Sequence, residues 1–258
     1  MNVHYRGEFL SVAGVCWRVE LLLEPTPADV GELDFDATPL TIEWNEESKE
    51  VPVCGSTATL NIISPGDRSY VNLYTEDPTG VRMDVYRNDT LYWSGCLDPE
   101  FYEEPYSTAK DYTVSLTFSD FGALDRLRYK GEGKRTLNDL IGSALTSAGL
   151  GHLSQNSSLI SGKAGSTNLL NLRVESANFY DEDGESLTWR DVLTGILQPL
   201  ALRMVQRAGA VHIYDLNGLT GAASLPIEWD STDQMLSVDK VYNNAKVAAQ
   251  TAVHYCNM

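Results

Sequence analysis

The sequence predicts a β-rich α+β protein: an antiparallel, barrel- or sandwich-like domain over residues 1–125, followed by a smaller α+β domain over 126–258. Three observations lead there. Residues 1 to about 125 are written as short alternating segments separated by turn residues, the pattern of strands with one buried face. The stretch "FGALDRLRYKGEGKR" then changes composition, with three glycines and a run of bases, and a domain boundary is expected inside it. Beyond it stand two capped amphipathic segments, "TLNDLIGSALTSAGL" and "TWRDVLTGILQPLALRMVQ", which begin 52 residues apart and share Thr, Asp and Leu at matching places.

The first strands are two around a turn at Ala13 and Gly14, in "EFLSVAGVCWRVELLLE", where Trp17, Val19 and Leu21 alternate along one face. "PLTIEWN" opens a strand after Pro39, "STATLNII" runs to a turn at Pro65 and Gly66, and "SYVNLYT" reads as the next strand. "GVRMDVYRNDTLYWSGCL" is a hairpin about Asn88 and Asp89, residue types that tolerate positive φ. In "DYTVSLTFSD", Tyr112, Val114, Leu116 and Phe118 point one way and Thr113, Ser115 and Thr117 the other.

The first helix is expected near 137–148, with Thr136 as N-cap, Asp139 three residues on, and Gly149 as its stop. Residues 151–185 are rich in Ser, Gly and Asn and offer one strand, Leu169 to Val174. The second helix is expected near 189–198. Thr188 and Asp191 cap it, Leu187 can staple against Val192, and Trp189, Val192, Leu193, Ile196, Leu197 and Leu200 form one apolar stripe. Pro199 should end it near Gln198. A hairpin turning at Ala208 and Gly209 follows, with Val211 and Ile213 on one face, and "SVDKVYNNAKVAAQ" is the last strand.

Charge narrows the function. With 19 Lys and Arg against 36 Asp and Glu, the net charge is −17, a field that repels phosphate backbones and anionic lipid. No specific nucleic-acid binding is expected. The loose basic cluster Arg126, Arg128, Lys130, Lys134 and Arg135 reads as a solvated linker. The N-terminal residues lack a basic region followed by an apolar one, and "LLL" at 21–23 is too short to span a bilayer, so neither export nor a membrane anchor is expected. Cys16, Cys54, Cys96 and Cys256 form no CxxC pair and read as buried reduced thiols.

Catalytic constellations are not found. There is no GxSxG, HExxH or phosphate loop, and "GEGKRT" lacks the first glycine a P-loop needs. His4, His152, His212 and His254 are never at ligand spacing, and "DEDG" at 181–184 lacks the later ligands of a calcium loop. Acidic pairs such as Glu46 and Glu47, or Glu103 and Glu104, decide nothing in a chain with 36 acids. No catalytic residue, cofactor or metal is therefore assigned. Aromatic residues are the remaining candidates: Trp93, Phe101, Tyr102 and Tyr106 fall within "WSGCLDPEFYEEPY" and suit an interface, a sugar platform or the core.

Several phrases in order resemble a family: "TPLTIEWNEESKEVPVCGSTATLNIIS", "VYRNDTLYWSGCLDPEFYEEPY", "YTVSLTFSDFGALDRLRY", "TLNDLIGSALTSAGL", "SLTWRDVLTGILQPLALRMVQRAGAVHIYDL" and "VYNNAKV". Together they look like tail proteins of bacteriophages and of prophages of gut bacteria. The resemblance covers about residues 35–130 and 186–247, and its weight lies in the order of the phrases. It implies a structural, non-enzymatic protein of the baseplate hub or tail-associated type. Such a protein sits in the virion tail after assembly in the host cytoplasm, associates as a trimer or ring, and docks to other tail proteins. In such hubs two tube-type β domains each carry a helix. The 52-residue spacing leaves open whether the two helices here belong to two domains or share one. An acidic ring would also keep a DNA passage from binding phosphate. Trp93, Phe101, Tyr102 and Tyr106 are then the expected interface residues. A carbohydrate-binding module and a tail-associated hydrolase are the alternative readings. Members usually continue beyond the "VYNNAKV" phrase, so a short or incomplete final domain is expected.

Overall fold

Alternation of apolar and polar side chains lays the N-terminal half into one eight-stranded sheet. The computed structural model describes residues 1–45, 51–66, 68–101, 110–158, 163–164 and 167–215, which all fall in one compact unit, Met1–Gly221. The strands are β1 (Asn2–Leu10), β2 (Cys16–Leu23), β3 (Gly31–Glu32), β4 (Phe35–Trp44), β5 (Val53–Cys54), β6 (Ser56–Ser64), β7 (Arg82–Arg87), β8 (Thr90–Leu97) and β9 (Tyr112–Ser119). All but β5 join in the order β3-β1-β2-β7-β8-β9-β6-β4. One face is a buried cluster that includes Val19, Leu21, Leu60, Ile62, Met83, Val85, Trp93, Leu116 and Phe118. The hairpins turn where expected, with positive φ at Gly14 and at Asn88 and Asp89.

Among the described residues no sheet closes into a barrel, which corrects the barrel-like expectation. The edges explain why. β3 is two residues long, and β4 carries Pro39, which has no N–H to donate and lies where the pairing with β6 shifts register between Phe35 and Leu40. Leu33 N donates to Arg6 O and Ile63 N to Asp34 O, each at 2.8 Å, so the connection between β3 and β4 still ties β1 to β6.

Two strand expectations fail here. Strand β4 opens at Phe35, before Pro39 and not after it. "SYVNLYT" is a turn and a single 3-10 turn over Val71–Leu73, not a strand. Tyr70 and Leu73 are buried three residues apart while Val71 and Tyr74 are exposed, a helical spacing that alternation would not give.

The second half adds β10 (Lys134–Thr136), α1 (Leu137–Ser147), β11 (Ser154–Ser158), β12 (Lys163–Ala164), β13 (Thr167–Asn168), β14 (Arg173–Glu175), α2 (Trp189–Leu197), β15 (Leu202–Arg207) and β16 (Ala210–Asp215). Strand β10 pairs with β14 and β12 with β13, while a four-stranded sheet runs β11-β16-β15-β5. The expected strand at Leu169–Val174 is instead a 3-10 turn over Leu169–Asn171 followed by β14. "SVDKVYNNAKVAAQ" lies outside the described residues.

Both helices start as their sequences dictate. Asp139 N donates to Thr136 Oγ1 (3.0 Å) and Thr136 N to Asp139 Oδ2 (3.4 Å), a full capping box. Asp191 N donates to Thr188 Oγ1 (3.1 Å). Helix α2 stops at Leu197, and Pro199 falls in the 3-10 turn Gln198–Leu200 that follows. Five side chains of α2 are buried. At roughly 1.5–3 kcal/mol each, packing and not propensity holds so short a helix.

The buried residues form two clusters. The first ends in sequence at Phe118; the second starts at Phe121 and includes both helices, β15, β16 and one outlier, Val53 of β5. The two helices therefore share one core, which answers the question their repeated phrase raises.

Candidate functional site: a buried polar seam and a basic cleft

Strands β7 and β8 point Met83, Val85 and Trp93 into the first core, so Arg82, Asp84, Ser94 and Cys96 face the other way. That outer face is covered by the second half of the chain: Asp84 is 3% exposed and Ser94 0%. Buried polar groups need partners, and here Gln206 of β15 supplies them. Its Nε2 donates to Ser94 O (2.8 Å), and Ser94 N donates to its Oε1 (2.7 Å). One amide thus stands in for a neighbouring strand. Ser94 Oγ donates to Asp84 Oδ1 (2.6 Å), and Arg82 grips the same carboxylate through Nε (3.1 Å) and Nη2 (2.9 Å). At the end of α1, Arg82 Nη1 donates to Gly149 O (3.4 Å) and Cys96 Sγ to Ala148 O (3.5 Å).

The seam continues to Asp120, which is 1% exposed. Its Oδ1 accepts from Ser56 N (2.8 Å) and Phe121 N (2.7 Å), and its Oδ2 accepts from Ser56 Oγ (2.6 Å) and Gln206 Nε2 (3.4 Å). Trp93 Nε1 donates to Ser56 Oγ (2.8 Å), and Trp44 Nε1 donates to Gln206 O (2.9 Å). Burial pushes the Asp120 carboxyl up to about 6, against the lowering effect of the hydrogen bonds from Ser56, Phe121 and Gln206. Burial likewise pushes the Cys96 thiol up to about 12, which keeps it protonated and unreactive. His152, beside Asp84 at 3.6 Å, is held below its ordinary value by burial and by Arg82, with Asp84 opposing.

The Asp120 shift has a measurable consequence. The folded carboxyl binds a proton near pH 6, the unfolded one near 3.8, so its contribution is fully present below pH 3.8 and is lost as pH rises through 6. On acidification from pH 7 to 4 the wild type should gain up to about 3 kcal/mol relative to Asp120→Asn. Urea unfolding of both proteins across that range checks this, and a difference that stays constant with pH contradicts it.

On another face Arg126, Arg128, Lys130 and Arg135 of the basic cluster line a cleft of about 940 Å³. Tyr129 is buried and Leu127 half-buried, so Arg128 and Lys130 fall on the exposed side, and Arg126, at the end of the preceding 3-10 turn, is exposed as well. Tyr129 N donates to Leu187 O (2.9 Å) and Arg128 pairs with Thr188, which fixes this segment against the start of α2. Arg135 and the α1 residues Asn138, Asp139, Ser143 and Thr146 line the other side. Arg126 meets Asp98 (2.9 Å) and Glu100 (3.1 Å), Arg128 Nη1 donates to Ser186 O (2.6 Å), and Arg135 Nη2 donates to Ser143 Oγ (3.0 Å). Arg126, Arg128 and Arg135 are thus tied to the fold, unlike the loose linker their spacing predicts.

The sequence matches no family model and no curated protein. Among solved structures, the 43 kDa tail protein of prophage MuSo2 from Shewanella oneidensis is similar at 13% identity and a TM-score of 0.36, over 68% of this chain and 55% of that one. A tail protein from Neisseria meningitidis MC58 is similar at 13% identity and a TM-score of 0.38, over 76% of this chain and 55% of that one. The chain spans little more than half the length of either.

Of the expected interface residues, Trp93 is fully buried and belongs to the first core and the seam, so in the isolated chain it presents no surface to a partner. Phe101 ends a single 3-10 turn, Pro99–Phe101. Tyr102 and Tyr106 lie outside the described residues. The "DEDG" stretch is a turn whose Asp181 Oδ1 accepts from Asp183 N (3.1 Å) and Glu185 N (2.7 Å). Among the described residues no group of His, Cys, Asp and Glu is placed to hold a metal, Cys16, Cys54 and Cys96 are free, and no helix is long and apolar enough to cross a membrane. Ser56, Asp84, Asp120 and Gln206 were not singled out from the sequence. The signal for Gln206 is a lone amide inside the apolar strand "LRMVQR", which becomes legible only once its burial is known.

Proposed function

We propose that this chain is a structural protein of a bacteriophage or prophage tail, of the baseplate hub or tail-associated type, acting by self-association and by docking to other tail proteins. The observation that supports it is where the resembling phrases meet. "STATLNIIS" supplies Ser56, "LYWSGCLDP" supplies Trp93 and Ser94, "LTFSDFGAL" supplies Asp120 and Phe121, and "LRMVQRAG" supplies Gln206. These residues are joined in one hydrogen-bonded seam, so the phrases whose order carries the resemblance are also those that tie one buried cluster to the other.

In this reading residues 1–125 and 126–258 form two modules, assembly takes place in the host cytoplasm, and the protein ends in the virion tail as part of a trimer or ring. Phe101, Tyr102 and Tyr106 stay as interface proposals; Trp93 is withdrawn as an exposed anchor. A carbohydrate-binding module would need an exposed aromatic platform, which buried Trp93 cannot provide. Immunogold labelling of intact tails tests the proposal: label at the distal tip is expected, and label confined to the capsid, or absent from particles, overturns it.

A further inference from the structure

Among the described residues eight large apolar side chains are exposed, and four of them stand in two places. Leu10 and Val12, the two most exposed, stand at the turn of the β1–β2 hairpin. From Phe9 to Trp17 that hairpin carries no charged residue. Its turn is set: Gly14 N donates to Ser11 O (2.8 Å) and Ser11 N to Val15 O (3.0 Å), with φ 73° at Gly14. It is a preformed apolar knob. The other two, Leu172 and Leu187, stand in the wall of an apolar groove of about 460 Å³, which Phe179, Ile196, Pro199 and Leu200 also line. Its charged lining residues are Arg173 and Asp191, which cancel.

Strand β15 sets the two features apart. Its first residue, Leu202, follows the turn that supplies Pro199 and Leu200 to the groove. At its other end Arg207 lies over Trp44, which meets Tyr92, which in turn meets Trp17 at the base of the knob. The length of β15, roughly 17 Å at about 3.3 Å per residue, lies between them, and pairing of β2 with β7 holds the knob where it is. The knob cannot reach the groove of its own chain, so only another molecule can match the two. We propose that the β1–β2 knob of one copy seats in the apolar groove of the next, head to tail. This rests on the self-association proposed above and gives it a surface. The contact joins two different surfaces, so each added copy presents a free knob or groove to the next, and the series closes as a ring. Charge favours the same two places. At −17 per chain two copies repel, and they approach at least cost where each surface is locally neutral.

Light scattering of the intact chain over a concentration series, at low and at high salt, tests the contact. The wild type should associate beyond a dimer and should tighten as salt rises, because salt screens the repulsion and leaves apolar burial in place. Leu10→Asp with Val12→Asp in the knob, and separately Leu172→Asp in the groove, should each weaken association by about tenfold or more. Val30→Asp with Val71→Asp, which adds the same charge at exposed apolar residues elsewhere, should change it little. Mixing the knob variant with the groove variant should give a heterodimer and nothing larger, since the first keeps a sound groove and the second a sound knob. If Leu172→Asp lowers the melting temperature, Leu172→Asn takes its place. A wild type that stays monomeric, association that loosens with salt, or a mixture that forms no heterodimer overturns the contact. So does a knob that binds vesicles of phosphatidylglycerol and phosphatidylethanolamine in place of a second copy. Association that neither variant alters overturns this surface while leaving self-association in place. Labelling of tails judges the tail reading independently of these results.

Discussion

Gln206→Leu should lower the unfolding free energy by about 3–5 kcal/mol, although leucine approximates the glutamine in volume and is the more apolar side chain. The reason is what the amide leaves behind. Ser94 N–H and C=O are both satisfied by it, and Ser94 is fully buried. Each such group left without a partner costs roughly 1–3 kcal/mol, and Asp120 loses a donor as well. Gln206→Glu sharpens the test. It keeps the shape but replaces the Nε2 donor with an oxygen that faces Ser94 O and the Asp120 carboxylate, so its loss at neutral pH should be similar and should shrink on acidification as the paired carboxyls share a proton. Urea unfolding followed by tryptophan fluorescence measures both. A change below about 1 kcal/mol in Gln206→Leu would show that the seam is not what joins the two clusters.

Trp93→Ala should cost a similar amount, about 3–5 kcal/mol, through the cavity it opens. Its ring is wholly enclosed and its Nε1 is bonded to Ser56. Gly95 makes room for it, since a Cβ there would sit 2.3 Å from the indole and 2.7 Å from Ser119 O. Two roles can be separated by how the loss depends on concentration. A core residue lowers the melting temperature equally at every protein concentration, whereas an interface anchor leaves the monomer stable and weakens only association. Thermal unfolding over a concentration series should show the first behaviour.

What could be read from the residues was local. Asn88 with Asp89 and Ala208 with Gly209 mark their hairpins because those positions need positive φ. At Gly209 the constraint is doubled, since a Cβ would sit 2.2 Å from Leu91 O. Thr136 and Thr188 mark the helix starts because a hydroxyl must meet a free N–H. Elements made by distant pairing were not legible. "SQNSS" has no apolar alternation and is a strand only because β16 offers it an edge in parallel register. The site suffered most, because a run of aromatics looks the same whether it is enclosed, like Trp93, or displayed. The same limit hid the basic cleft: charge spacing predicts a chain segment, but only the burial of Tyr129 turns alternate bases to one side.

Strand β5 has a consequence in time. Val53 and Cys54 leave the first half of the chain to pair in parallel with Met204 and Val205, roughly 150 residues later, and Val53 sits in the second core. Ribosomes add about 5–20 residues per second, so β5 emerges on the order of ten seconds before its partner. For that interval the strand carries unmatched backbone groups beside β6, a template for the wrong neighbour. The β15–β16 hairpin at one stroke pairs β5 and delivers Gln206 to Ser94.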